Sequence, residues 1–139
     1  MSGAADLPDA AVTERATALL AHLWMVRTFV KHSEEAEEFE ELLDLPRVAF
    51  DVARAAESRL DDVPALRRIL AKKVPKLRRA AAKFAADAAA ASTHTNWQQA
   101  AVSLDAVVAG LAELLPPPAA PPASPLPKSP LPPSLRRPA

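Results

Sequence analysis

The chain has 139 residues, with 17 Lys plus Arg against 17 Asp plus Glu, no cysteine and two glycines. This balance excludes a protein defined by bulk charge. The missing cysteines exclude disulfides, thiolate catalysis and cysteine-ligated metals, and the isolated Gly3 and Gly110 exclude a nucleotide-binding glycine loop. Aromatic residues make up only 4% of the chain, so its core must be built from Leu, Val and Ala, and the length supports one domain.

Asp6, Leu7, Pro8 and Asp9 form a helix-start signal, a capping acid followed by proline in the first turn. The 3.6-residue apolar period carries this first helix to about Lys31. Val12, Leu19, Leu23, Val26 and Val30 share one face, widened by His22, Met25 and Phe29. His22 reads as a packed helix residue. Leu20 and Trp24 fall on the opposite face beside Arg27 and Lys31, where an exposed tryptophan marks a contact surface for a partner; the alternative is packing at the edge of a neighbouring helix.

Ser33 can cap a second helix whose first turn is rich in Glu, which suits the positive end of the helix dipole. Phe39, Leu42, Leu43, Phe50, Ala53 and Leu60 form its apolar side, and Glu34, Glu35, Glu37, Glu38, Glu40 and Glu41 its solvated face. Pro46 kinks this element or divides it in two, with Asp44 as a second cap. Asp61 and Asp62 before Val63 and Pro64 repeat the start signal. A third helix follows, with a narrow stripe of Leu66, Leu70, Val74, Leu77, Ala81, Phe84 and Ala88, and with Pro75 as a break or bend. Its far side carries most of the eight bases Arg67, Arg68, Lys72, Lys73, Lys76, Arg78, Arg79 and Lys83. In an antiparallel hairpin about Asp62, only Arg78, Arg79 and Lys83 reach the acids of 34–44. Most of the basic face is then expected to stay unneutralised and to offer a phosphate-binding row of Arg67, Arg68, Lys72, Lys73, Lys76, Arg79 and Lys83.

Alanine dominates the third helix from Ala80 to Ala91, which favours helix and close approach of a neighbour. Thr95 with Gln98 makes a capping-box pattern. It opens a fourth helix with Trp97, Ala101, Leu104, Val107, Val108, Leu111 and Leu114 on its apolar face. Apart from Pro8, Pro46, Pro64 and Pro75, all of the 15 prolines lie after Leu115, so residues 116–139 are expected to be polyproline-like or disordered. The pieces Pro127–Pro130 and Pro130–Pro133, followed by Arg136 and Arg137, resemble ligands of aromatic proline-binding grooves. No secretory signal opens the chain, and no apolar run approaches the roughly 18 residues of a membrane span. A cytoplasmic protein is the expectation.

Catalytic readings must use the three histidines and the carboxylates. In an up-down bundle the first and third connections share one end, so His32 and His94 become neighbours there with Glu34 and Glu35. His32, His94 and Glu35 are thus the candidate metal ligands, although zincin, EF-hand and di-iron spacings are absent and no cofactor is expected. Arg27 and His32 give an Arg-x4-His spacing that resembles the signature of the HEPN family of helical ribonucleases. That resemblance would make His32 the proton-transfer group and Arg27 the stabiliser of phosphate charge. Over residues 48–115, VAFDVARAAE, KLRRAAAKFAADAAAAS and NWQQAAVSLDAVVAGLAELL resemble the small four-helix-bundle proteins encoded by intervening sequences in bacterial 23S ribosomal RNA genes, with Leu77 to Ala81 matching their Leu-Arg-Arg-Ala-Ala stretch. The first forty residues look more like an uncharacterised bacterial helical family. The expectation is therefore an all-α, up-down four-helix bundle over residues 8–115, a flexible segment over 1–7 and a disordered proline-rich tail over 116–139. It is expected to act as a non-enzymatic interaction or scaffold protein, with an unknown protein partner or as a homo-oligomer. Nucleic-acid association through the third helix is the alternative.

Overall fold

Local polar signals and prolines set where each helix begins. In a computed structural model, which describes residues 7–115, α1 (Asp9–Lys31) starts directly after Pro8, whose carbonyl accepts from the N–H groups of Ala11 and Val12 at 2.9 and 3.0 Å. No side chain among the described residues caps it. Asp6, the expected capping acid, lies outside the described residues; Pro8 supplies a fixed φ at the helix start, with Asp9 favourable in the first turn. At the other end the Ser33 hydroxyl donates to the Val30 carbonyl (2.7 Å) and accepts from the Ala36 N–H (3.1 Å). One side chain therefore closes α1 and opens α2 (Glu34–Glu38).

The element expected to be kinked at Pro46 is in pieces: α2, a 3-10 turn (Glu40–Leu43) and α3 (Asp44–Glu57). Pro46 lies in the first turn of α3, where its missing N–H would have no partner in the helix anyway. Asp44 is the first residue of α3 and not its cap. Asp62 accepts from the Ala65 N–H at 3.1 Å and begins α4 (Val63–Ala91), with Pro64 in its first turn. This helix runs through Pro75. A proline inside a helix costs about 3 kcal/mol and leaves a carbonyl unpartnered. That carbonyl belongs to Ala71, which is exposed, so water can satisfy it. His94, not Thr95, caps α5 (Thr95–Glu113): its Nδ1 accepts from the Asn96 N–H at 3.0 Å.

The four long helices form an up-down bundle with neighbours α1–α3, α3–α4, α4–α5 and α5–α1, and α4 diagonal to α1. All the described regular structure is helical. Short connections fix this order: the Thr13 hydroxyl donates to the Leu60 carbonyl in the α3–α4 turn (2.9 Å), and Arg15 meets Glu113 at 3.2 Å. The α4 stripe expected from Leu66 to Ala88 is buried throughout. Trp97 joins it at one end of the core, its ring centroid 5.9 Å from that of Phe84 and 5.0 Å from that of Phe29.

On α1 the expected apolar face is rotated. The helix buries Val12, Ala16, Leu20, Leu23, Val26 and Val30, while Met25 and His22 are exposed and Leu19 is half-buried. Leu20, expected on a partner surface, is only 4% exposed. The reason is that α1 packs against both α3 and α5, so its buried arc is wider and differently centred than one apolar stripe suggests. Leu19 turns to α5, where Gly110 leaves room for it: a Cβ at that position would lie 2.8 Å from a Leu19 methyl. Neither residues 1–6 nor the proline-rich stretch 116–139 belongs to the described part of the chain.

Leu77 is fully buried in the α4 stripe, whereas Val102 on α5 is 61% exposed. Urea unfolding should show Leu77→Ala destabilising the protein by about 2–5 kcal/mol and Val102→Ala changing it by less than about 0.5 kcal/mol.

Candidate partner-binding surface

Trp24 lies one turn beyond Leu20 on α1, at the seam with α3. Leu20 goes under the seam and Trp24 stays at its edge, 36% exposed. Phe50 of α3 lies beside it, 43% exposed, with ring centroids 6.0 Å apart. Met25 extends the apolar surface and is 66% exposed. The Arg27 guanidinium carbon stands 4.1 Å from the Trp24 ring centroid and 5.5 Å from that of Phe50, and the Arg54 guanidinium carbon 5.8 Å from Phe50. Such cation–π contacts contribute about 0.5–1 kcal/mol at exposed sites and keep the guanidinium groups near the rings. Two clefts flank the ring pair along the seam. One, of about 480 Å³, has Leu20, Met25, Arg54 and Glu57 in its walls; the other, of about 460 Å³, has Arg27, Lys31, Pro46 and Arg47.

The seam is positive. Arg27, Lys31, Arg47 and Arg54 line it against Glu57, and Asp44, the neighbour of Arg47 at 3.1 Å, is shared with Lys83 at 2.9 Å. The Arg27 Nε is buried and meets no acceptor among the described residues. The sequence left Trp24 between an exposed contact surface and packing at the edge of a neighbouring helix, and the ring does pack at the edge of α3 beside Phe50; Phe50 was expected on the buried side of its helix, and Arg54 was not singled out. The available signal was Arg three residues after Trp24 and four after Phe50, the spacings that bring side chains together on a helix.

The α4 bases divide into two sets. Lys73 bonds Asp51 at 2.8 Å, with its side chain 23% exposed, Lys76 stands 4.0 Å from the same carboxylate, and Lys83 pairs with Asp44 and Asp87. The expectation of an unneutralised face is therefore wrong for Lys73, which α3 meets with Asp51, whereas Lys83 pairs with Asp44 as the hairpin geometry implied and Arg78 and Arg79, expected to reach the same acids, do not. Arg67 is half-buried with interactions of its own. Arg68, Lys72, Arg78 and Arg79 are exposed, and none pairs with a carboxylate among the described residues.

His32, His94 and Glu35 do come together, around a cleft of about 420 Å³ whose walls include Phe29 and Trp97. Among the described residues, however, no group of three or more His, Asp or Glu is arranged to hold a metal ion, and the Nδ1 of His94 is engaged as the α5 cap. Arg27 and His32 open onto different clefts, so the Arg-x4-His pair does not converge on one pocket. His22, expected to be packed, is exposed on α1. No helix among the described residues is long and apolar enough to cross a membrane.

The Lys83 hydrogen bond holds the Asp44 carboxyl below its ordinary value of 3.8, and the Lys73 hydrogen bond does the same for Asp51. The Asp87 hydrogen bond, followed by that of Asp44, raises Lys83. Depressed carboxyls contribute stability that is fully present above the unfolded value and lost as pH falls through the folded one. Thermal melts in mild acid should therefore show the Asp44 and Asp51 contributions disappearing as pH drops below about 4, and the Asp44→Asn/Asp51→Asn double variant should flatten that part of the profile. No family model, curated protein or solved structure matches the chain.

Proposed function

We propose that the protein is a non-enzymatic interaction module whose α1–α3 seam receives an acidic segment of a partner protein that also carries apolar side chains. The observation that carries this reading is the contiguous exposure of Trp24, Met25 and Phe50 inside a frame of Arg27, Lys31, Arg47 and Arg54. Tryptophan and arginine dominate binding energy at protein interfaces, because they combine large apolar area with directional hydrogen bonds. Here both are present before any partner arrives, with the guanidinium groups already beside the rings.

Charge selects the occupant. A second copy docked seam to seam would bring like charges together, which costs affinity. The chain's own stretch 116–139 contains Lys128, Arg136 and Arg137 and no acidic residue, so it has the same sign as the seam. An acidic helix with apolar residues at i, i+3, i+4 and i+7 instead offers rings and methyls to the clefts and carboxylates to the frame.

The test uses two labelled synthetic helices of that apolar pattern, one with Glu and one with Lys at every remaining position. The Glu helix should bind the full-length protein and perturb tryptophan fluorescence, and the Lys helix should not. Trp24→Ala and Arg27→Glu/Arg54→Glu should each weaken binding at least tenfold, about 1.4 kcal/mol, with Trp24→Ala costing less stability than Leu77→Ala. Equal binding of both helices, or binding of neither, would overturn the proposal.

A further inference from the structure

From Val63 to Ala86 α4 contains no Asp or Glu. Its charges are sorted by direction. The lysines turned toward α3 are neutralised there, Lys73 by Asp51 and Lys83 by Asp44. The outward positions Arg68, Lys72 and Arg79 are exposed and unpaired among the described residues, and Lys76, whose pair with Asp51 is long at 4.0 Å, keeps its side chain 52% exposed beside them. Between Arg68 and Arg79 the other exposed positions of α4 are Ala71, Pro75 and Arg78. No acidic side chain of α4 stands in front of the row. At 1.5 Å per residue Arg68 to Arg79 spans about 16 Å, a length over which one strand of a duplex presents roughly five phosphates. Because α4 is diagonal to α1, this face is separate from the α1–α3 seam and does not depend on the function proposed for it.

We infer that the outer face of α4 is a second binding site, one that takes the phosphate backbone of a nucleic-acid duplex through Arg68, Lys72, Lys76 and Arg79. The row contains cations but no ring: Phe84, the single aromatic residue of α4, is 2% exposed and packs on Trp97. Single-strand binding relies on bases stacking on exposed aromatic side chains, which this face does not provide. Sequence readout needs side chains that reach base edges in a groove, whereas a row on the convex side of one helix meets backbone oxygens. The site therefore binds duplex without sequence preference, and its affinity comes from counterion release.

Anisotropy of a labelled duplex about two helical turns long, titrated with the full chain at several salt concentrations, tests this. Four phosphate contacts predict a slope of roughly −3.6 in log K against log salt, a loss of roughly a hundredfold between about 50 and 200 mM. Two unrelated sequences should give the same curve. Arg68→Glu/Lys72→Glu should weaken binding at low salt by at least tenfold and make the slope shallower by about two, while Trp24→Ala leaves both unchanged. Circular dichroism checks the fold of the variants, and Arg68→Gln/Lys72→Gln replaces the Glu pair if that pair fails to fold. The inference is overturned if the duplex shows no salt-dependent binding, or if binding survives reversal of the row. It is equally overturned if binding is lost only when Lys128, Arg136 and Arg137 are reversed, or if the row instead drives self-association or capture of phosphatidylserine vesicles without duplex binding.

Discussion

The apolar stripe of α4, buried from Leu66 to Ala88, is the surface on which the other helices find their height. It meets α3 on one side and α5 on the other. Its residues are Leu and Val through the middle and Ala, Phe and Ala toward the Ser92 end, so the large side chain there is Phe84, and Trp97 closes over it. A chain with so few rings has little slack in such an arrangement. Small residues such as Ala49, Ala53, Ala56, Ala81 and Ala100 let backbones approach closely, and the buried leucines then fill the remaining space at the density a stable core requires.

Once α3 is registered on α4, the charge pattern follows from geometry. Asp44 and Asp51 are seven residues apart, two turns of one helix, and they fall along the seam with α4. Each takes cations from α4, while Arg68, Lys72, Arg78 and Arg79 are left exposed with no carboxylate partner among the described residues. The acids that could have balanced them, from Glu34 to Glu41, are held at one end by α2 and the 3-10 turn, which Ser33, Ala36 and Leu42 anchor. The molecule is neutral in total and sharply sorted locally. Both proposed binding faces arise from that sorting, one where arginines lie on exposed rings and one where no ring is present.

Features whose cause is local could be read from the sequence. Ser33 and Asp62 cap where expected because a side-chain oxygen and an N–H three residues on are close whatever the rest of the chain does. The α4 stripe was legible in full because its narrow apolar pattern coincides with its buried arc. α1 was harder, since its two neighbours share the burial and pull Leu20 under the seam while Met25 is left out. Periodicity gives the direction of one apolar face but not the number of helices that will cover it. Pairing of the α4 lysines with Asp51 was illegible for a related reason: it depends on how α3 is rotated about its own axis. Where Pro46 cut the second element was half legible, because a proline fits the first turn of a new helix as well as it breaks an old one.

The cap of α5 is a ring nitrogen, where Ser33 and Asp62 cap with oxygen. Nδ1 of His94 accepts the Asn96 N–H, so a whole imidazole is tied to the start of α5, at the joint between α4 and α5. Trp97, the deepest ring of α5, sits three residues from this joint, and His32 and Glu35 border the cleft beside it. Loosening at the His94 cap would reach the aromatic end of the core before it reached the leucines in the middle.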